Sequence, residues 1–353
     1  NYSTLIGLFL SLELFNSTGM VYRMRRRGFR FSNKLYFSHK RAHIRRMLLM
    51  IKLVIITIVA ISTLAIIISI RLNLLIFSNE SEEANENILH DGVRSRCSAS
   101  FKKLLPPAKI ERPLIIVVTP TYPRPTRIPD MIRLSQTLMH IRNIAWIVIE
   151  DGDTLNNPTR RLIRRTRIAY CYIAAKRLAT PPVRGWSAQD YALKFIRQRF
   201  ANFSNRAVVY FADDGNTYDV RLFDRFIRNV ETIGVWAVGM IAGQIVEETI
   251  KINAESMVNE WLSEFSPKHD WRISMAGFAI NLKILLRSKN VSLINCIYNS
   301  PEACLLSQLN ITKQDLQPFG HNLMPRDILV WHTRSTHFVS SNMYLRRYGY
   351  LIE

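Results

Sequence analysis

An uncharged apolar run from Leu53 to Ile70 constrains this chain more than any other feature. It lies between Lys52 and Arg71, and with its apolar flanks it is long enough to cross a hydrocarbon core, which needs about 20 helical residues. A buried helix of a soluble domain is the alternative, but a run that is apolar on every side leaves no polar face for solvent. The sequence therefore predicts one transmembrane helix, an uncleaved signal anchor over residues 53–70.

The charges around this run predict its orientation. Eleven basic residues and one acidic residue precede the run, which accounts for about half of the formal net charge of +21. Four glutamates lie between residues 80 and 86. By the positive-inside rule, residues 1–52 form a cytosolic tail and the rest of the chain is lumenal. Because the tail carries so much of the charge, we expect no nucleic-acid partner.

The lumenal part is predicted to be an α/β domain behind a stem. Residues 78–112 are polar, contain Pro106-Pro107 and show no sustained periodicity, so we interpret residues 71–112 as the stem. From residue 113 onward, short β-branched runs alternate with amphipathic helices, which is typical of a doubly wound, mostly parallel sheet. The predicted strands are Leu114–Thr119, Ile144–Asp151, Tyr170–Ile173 and Ala207–Ala212, and the predicted helices are Met131–Met139 and Ala188–Phe200.

Two adjacent aspartates, Asp213 and Asp214, follow the last of these strands. A strand-end turn or a helix N-cap is one interpretation. The other is a ligand site, because open parallel sheets bind ligands at the carboxyl ends of their strands. Carboxylates there suit a hard divalent cation that neutralises a diphosphate leaving group.

The four cysteines are predicted to face an oxidising lumen, where one or two disulfides are allowed. Their pairing cannot be deduced from their positions in the sequence. The spacing contains no CxxC, which disfavours a zinc site. The cysteines are Cys97, Cys171, Cys296 and Cys304.

Seven segments, in order, resemble the β-1,3-glucuronosyltransferases, which add glucuronic acid to galactose on proteoglycan linkers and glycoproteins. The resemblance covers about residues 113–335 and implies a GT-A-like nucleotide-diphospho-sugar transferase fold. It implies a UDP-binding half over residues 113–233 and an acceptor-binding, catalytic half over residues 234–353. The segments are Val118–Tyr122, Arg133–Leu138, Trp146–Asp151, Phe211–Tyr218, Ser274–Ala279, Glu302 with Leu305-Leu-Ser, and Val330–Arg334.

The resemblance also implies residues for UDP. Tyr122 matches the aromatic residue that stacks on uracil, and Asp151 matches the acid that hydrogen-bonds the base. Arg184 matches a basic residue near the nucleotide. His332 and Arg334 match residues that contact the diphosphate, a role that suits an imidazole and a guanidinium fork.

For the chemistry, the resemblance implies that Glu302 is the base that deprotonates the acceptor hydroxyl in an inverting displacement. Glu247 matches an acid that holds the acceptor galactose. Asp213 and Asp214 are the candidate ligands for UDP and for Mn²⁺. The implied partners are UDP-glucuronate, a galactose-terminated glycan, the Golgi membrane and a second copy of the chain as a homodimer.

The chain departs from the family pattern on the metal and acceptor side. Gly215 replaces the third aspartate, which binds manganese directly in the family, and glycine offers no ligand. Gln189 stands where the family has an arginine that pairs with the first aspartate. Ser274 replaces an acceptor-binding aspartate, and His269 replaces an arginine near the acceptor.

We therefore expect a manganese-dependent glucuronosyltransferase in a single-pass type II Golgi membrane protein. One alternative is a catalytically weak or inactive relative that binds UDP-sugar and acts through Golgi partners. Another is a basic nucleic-acid-binding membrane protein. The arginines of residues 160–165 are better explained as a solvated helix face or as a surface that attracts acidic glycosaminoglycans.

Overall fold

The computed structural model describes residues 33–78, 87–88, 93–107, 112–175, 185–241, 244–247, 251–252, 258–260, 271, 273–296, 300–321, 324–333 and 335. The chain divides into two compact units, Asn1–Ser81 and Glu82–Glu353. In the first unit, α1 spans Asn33–Ser78. Its segment His43–Arg71 is long and apolar enough to cross a membrane, and its apolar side chains are exposed, as lipid-facing side chains would be. This bears out a helix over residues 53–70, with several more turns at each end.

The second unit is built on a sheet of nine described strands in the order β1-β2-β5-β4-β3-β6-β13-β8-β14. Seven of these strands run in the same direction, whereas β2 and β13 run in the opposite direction. The mostly parallel sheet is therefore confirmed. In chain order the nine strands are β1 Asn87–Ile88, β2 Arg94–Cys97, β3 Leu114–Thr121, β4 Ile144–Asp151, β5 Ala169–Ala175, β6 Ala207–Phe211, β8 Ile233–Val235, β13 Phe278–Asn281 and β14 Leu316–Pro318.

Two smaller described sheets complete the unit, with strand orders β10-β9-β15-β7 and β11-β12. In the first of them, Trp331 lies flat over Gly239, where an added Cβ would meet the indole at 2.2 Å. Only glycine allows so close an approach. The strands are β7 Thr217–Tyr218, β9 Val238–Ile241, β10 Gln244–Glu247, β11 Lys251–Ile252, β12 Val258–Glu260 and β15 Val330–Trp331.

Helices cover both faces of the large sheet. Side chains alternate along β3, so Ile116 and Val118 pack in one apolar cluster with helix α5, whereas Ile115 and Val117 pack in another with α3 and α4. A sheet buried on both faces is the doubly wound α/β arrangement that the sequence predicted. The helices are α2 Ala99–Lys102, α3 Arg127–Leu138, α4 Asn157–Arg165, α5 Trp186–Arg199, α6 Leu282–Arg287 and α7 Pro301–Ser307.

The folded domain begins earlier than the predicted stem boundary at residue 112. Strand β2 pairs antiparallel with β5, and α2 buries Phe101 in the core. A four-residue strand is held by backbone hydrogen bonds to its neighbours and is too short for a periodic pattern, so no sequence pattern predicted it. Cys97 lies opposite Cys171 in this pairing and forms a disulfide with it, and Cys296 pairs with Cys304.

Candidate functional site

Polar side chains meet at the carboxyl ends of three neighbouring parallel strands. Thr121 ends β3 and Asp151 ends β4, while Asp213 and Asp214 follow β6. The hydroxyl of Thr121 donates to Oδ2 of Asp214 at 2.8 Å, which links the ends of β3 and β6 directly. The structure thus places the two aspartates at the edge of the sheet where ligands bind in this architecture.

Asp214 forms an ion pair with Arg124, a residue that was not among the predicted site residues. Nη2 of Arg124 lies 2.7 Å from Oδ1 of Asp214 and 3.0 Å from Oδ2 of Asp130. Burial raises the pKa of Asp214, and the bonds from Arg124 and Thr121 oppose that shift. The signal for this role was the position of Arg124 in Tyr122-Pro-Arg-Pro125, a turn at a strand end next to a predicted base-stacking tyrosine.

Replacing Arg124 by alanine is expected to lower the free energy of unfolding by about 3 kcal/mol, because it leaves Asp214 buried without its charged partner. Thermal unfolding of the full chain in detergent measures this loss. Arg124→Lys is the matched control, since a lysine keeps the charge and should recover part of the stability. An unchanged unfolding temperature for Arg124→Ala would show that the ion pair does not stabilise the site.

Asp213 lies among like charges. Burial raises the pKa of Asp213 to about 7, with further contributions from Asp214 and Glu302, and Arg124 offsets only part of this. Among the described residues, no hydrogen bond or ion pair engages its carboxylate, and no group of three or more His, Cys, Asp and Glu forms a ready metal site. A divalent cation fits here electrostatically, held by one or two carboxylates and completed by substrate oxygens and water.

The loop after Asp214 is fixed from two sides. The carbonyl oxygen of Gly215 accepts hydrogen bonds from Nη2 of Arg133 at 2.9 Å and from the Thr333 hydroxyl at 2.7 Å. Oδ1 of Asn216 lies 2.9 Å from Nδ1 of His332. Helix α3 and the end of β15 therefore hold this loop together, and they place His332 against Asn216.

Glu302 lies in the first turn of α7, which Ser300 caps. The Ser300 hydroxyl donates to Oε2 of Glu302 at 2.6 Å, and the Met275 amide donates to Oε1 at 3.3 Å. Burial raises the pKa of Glu302, and these two contacts oppose the rise. Since Glu302 also contributes to the raised pKa of Asp213, the two carboxyl groups lie close enough for their charges to interact.

Three further predicted site residues lie within the described part of the chain, and others lie outside it. Tyr122 is 48% exposed, so its ring is accessible to a nucleotide base. The Arg124 guanidinium lies 4.9 Å from the centroid of this ring. Asp151 is buried at the end of β4. Glu247 is the last residue of β10. The positions that lie outside the described residues are Arg184, Arg334 and His269.

Two of the positions at which this chain departs from the family pattern carry buried polar atoms without a hydrogen-bond partner among the described residues. These atoms are Oε1 of Gln189 and the hydroxyl oxygen of Ser274. Ser274 directly precedes Met275, whose amide contacts Glu302. Buried polar atoms are normally satisfied, so a ligand or a water that completes these bonds fits this side of the site.

The pattern of Glycosyltransferase family 43 matches residues 134–336, more than half of the chain. The chain belongs to glycosyltransferase family 43. The resemblance to the glucuronosyltransferases is thereby confirmed, and with it the assignment of this chain as a glycosyltransferase.

This chain has curated relatives named as galactosylgalactosylxylosylprotein 3-beta-glucuronosyltransferases. The chain is 35% identical over 243 residues to galactosylgalactosylxylosylprotein 3-beta-glucuronosyltransferase 1 of Homo sapiens, covering 65% of this chain and 71% of that protein. It is 30% identical to the Caenorhabditis elegans enzyme sqv-8, covering 66% and 67%. Among solved structures, Staphylococcus aureus TarS 1-349 in complex with UDP is a distant likeness, with a TM-score of 0.43, 12% identity and coverage of 63% and 61%.

Proposed function

We propose that this family 43 glycosyltransferase moves glucuronic acid from UDP-glucuronate to a terminal galactose of a glycoprotein or proteoglycan linker, with inversion at the anomeric carbon. Its relatives are named for 3-beta-glucuronosyl transfer to a galactosylgalactosylxylosyl protein, which supports this sugar and this acceptor. The observation that carries the proposal is a half-buried carboxylate, Glu302, which has a raised pKa and lies close enough to Asp213 for their charges to interact.

In this reaction Glu302 is the general base. It removes the proton from the acceptor hydroxyl while that oxygen attacks the anomeric carbon, and the bond from this carbon to the diphosphate oxygen breaks with UDP as the leaving group. A carboxylate whose pKa is raised by burial is a stronger base than an exposed one. The Ser300 and Met275 contacts support this role because they fix the direction of the carboxylate.

The donor would lie across the ends of β3, β4 and β6. Tyr122 would stack on the uracil, and Asp151 would hydrogen-bond it. His332, held by Asn216, would contact the diphosphate. Arg184 and Arg334 belong to this set by their match to the family pattern alone.

We further propose Mn²⁺ as the cofactor, with Asp213 as its main protein ligand and Asp214 beside it. Both oxygens of Asp214 already have partners, whereas the Asp213 carboxylate is surrounded by negative charge. When bound, the cation neutralises the charge that develops on the departing diphosphate. Gly215 contributes no ligand, so substrate oxygens and water would supply most of the coordination shell.

On the acceptor side, the unpartnered hydroxyl of Ser274 lies next to the segment that contacts Glu302 and would bond a galactose hydroxyl. Glu247 would hold the same sugar. The apolar helix supports a single-pass membrane anchor, and we propose a type II orientation with this site in the Golgi lumen. A homodimer is proposed by the resemblance alone.

The test of this function is a transfer assay on the full chain in detergent. Incubation with UDP-glucuronate, Mn²⁺ and galactose-terminated acceptors is expected to give a glucuronylated product, and removal of the metal with EDTA is expected to lower the rate at least about 10-fold. UDP binding is measured in parallel by calorimetry. Binding of UDP without transfer to any acceptor of a broad panel would contradict the proposal and support the inactive relative instead.

A further inference from the structure

The candidate base lies within a loop closed by a disulfide. Cys296 and Cys304 are eight residues apart, and Glu302 falls between them. Cys296 is fully buried, and Cys304 packs against the main apolar cluster. The bond therefore ties the helix that carries Glu302 to a segment on the other side of the loop.

That segment is itself firmly attached to the core of the domain. Asp190 on α5 accepts hydrogen bonds from the Ser292 hydroxyl at 2.6 Å and from the Leu293 amide at 2.9 Å. The Gln308 side chain bridges the two ends of the loop, since its amide nitrogen donates to the carbonyls of Ser292 at 3.0 Å and Cys304 at 3.1 Å. Helix α5 thus fixes residues 292–296 through Asp190, and the disulfide fixes α7 to this segment.

Helix α7 needs such an attachment. It has only seven residues, and so short a helix is unstable without tertiary contacts. The proton transfer requires the Glu302 carboxylate within hydrogen-bond reach of the acceptor hydroxyl. The hydrogen bonds to Glu302 come from its own cap, Ser300, and from Met275, so a shift of the helix would break the second of them.

We propose that the Cys296–Cys304 disulfide is a positioning device for Glu302, holding the first turn of α7 against Met275 so that the carboxylate points into the site. This inference rests on the proposed role of Glu302 as the base. The disulfide takes no part in the chemistry, and its effect is on the rate of transfer and on the environment of the carboxylate, not on UDP.

The experiment compares two double variants of the full chain in detergent. Cys296→Ala/Cys304→Ala removes the proposed device, and Cys97→Ala/Cys171→Ala is the matched control that removes the disulfide between β2 and β5. We expect the first to lower kcat about 10- to 100-fold, the loss that a small misplacement of a reacting group causes, with UDP affinity unchanged. The control should keep its kcat. An unchanged kcat in the first variant, or an equal loss in both, would overturn the inference.

A second measurement does not depend on turnover. In chains with ¹³C-labelled glutamate carboxyls, the Glu302 resonance is assigned from its loss in Glu302→Gln, and its titration is followed by NMR. Burial raises the pKa of Glu302 against the contacts from Ser300 and Met275, and neither of these residues is changed in the two variants. The pKa of Glu302 should fall toward the ordinary glutamate value when Cys296–Cys304 is absent, because water reaches a loosened helix, and should stay raised in the control. If the native chain lacked all transfer, the proposed function would fail, while this titration would still decide the positioning role.

Discussion

Replacing Glu302 by glutamine is expected to lower kcat by about 10²- to 10⁴-fold, the contribution that general base catalysis makes to many enzymes. Glutamine keeps the size of the side chain, and its oxygen can accept from the Met275 amide while its amide nitrogen donates to the Ser300 hydroxyl oxygen, so the first turn of α7 should remain in place. It cannot take a proton at neutral pH. UDP affinity, measured by calorimetry, should be unchanged because Glu302 is not among the donor-binding groups.

Glu231→Gln is the matched control for this substitution. Glu231 is exposed and precedes β8, at the edge of the sheet opposite the site. Its replacement should leave both kcat and UDP affinity at the native level. A Glu302→Gln chain with near-native kcat would exclude Glu302 as the base and would move the search to Asp213, whose pKa is raised to about 7.

The pH dependence provides a second readout of the same group. Because burial raises the pKa of Glu302, the base is ionised only above that raised value, so kcat should fall as the pH drops through it. The acid limb should therefore lie above the range of an ordinary glutamate. Saturating Mn²⁺ separates this limb from Asp213, since a bound cation keeps that carboxylate ionised. A limb at the ordinary glutamate value would contradict the buried environment of Glu302.

The strands that carry the site were predictable because they are buried on both faces. Strand β4 was predicted with both of its observed ends, since eight buried residues between polar turns leave an uninterrupted apolar run that ends in acids. Helix α5 was placed within two residues at each end. Since strand ends define the edge of a parallel sheet, the position of Asp213 and Asp214 followed from the same pattern.

The partners of the site residues were not predictable in this way. Thr121 and Asp214 are 93 positions apart, and they meet only because β6 lies beside β3 in the sheet. The contact of Met275 with Glu302 likewise depends on β13, which enters the sheet antiparallel between β6 and β8. Strand order and disulfide pairing are properties of the whole fold, and no local pattern of residues encodes them.

The two aspartates of the pair differ in their contacts. Asp214 is bound to Arg124 and Thr121, and this structural role resembles the strand-end turn that was one interpretation of the sequence. Asp213 has no hydrogen bond or ion pair on its carboxylate among the described residues, and its pKa is raised to about 7. A carboxylate at position 215 would add a third acid to this pair, and for this reason the glycine is the most informative position to change.

Replacing Gly215 by aspartate is expected to raise the affinity for Mn²⁺ at least about 10-fold, since loss of even an indirect ligand contact costs that much in other metal sites. The fold accepts the new side chain. An added Cβ would meet only the carbonyl oxygen of Thr333 at 3.8 Å, an ordinary contact, and the backbone is not in the left-handed region. The bonds from Arg133 and Thr333 to the Gly215 carbonyl do not involve the side chain and would hold the loop as before.

The dependence of the rate on Mn²⁺ shows whether the new aspartate binds the metal or changes the site in some other way. A third aspartate adds negative charge beside Asp213 and Asp214, so without a cation the Gly215→Asp chain should be no more active than the native one and less stable. With Mn²⁺ it should reach half of its maximal rate at a concentration at least about 10-fold lower. Gly215→Asn, equal in size but neutral, should give little of this gain. Equal titration curves for Gly215→Asp and the native chain would mean that the metal is held by Asp213 and the diphosphate without help from position 215.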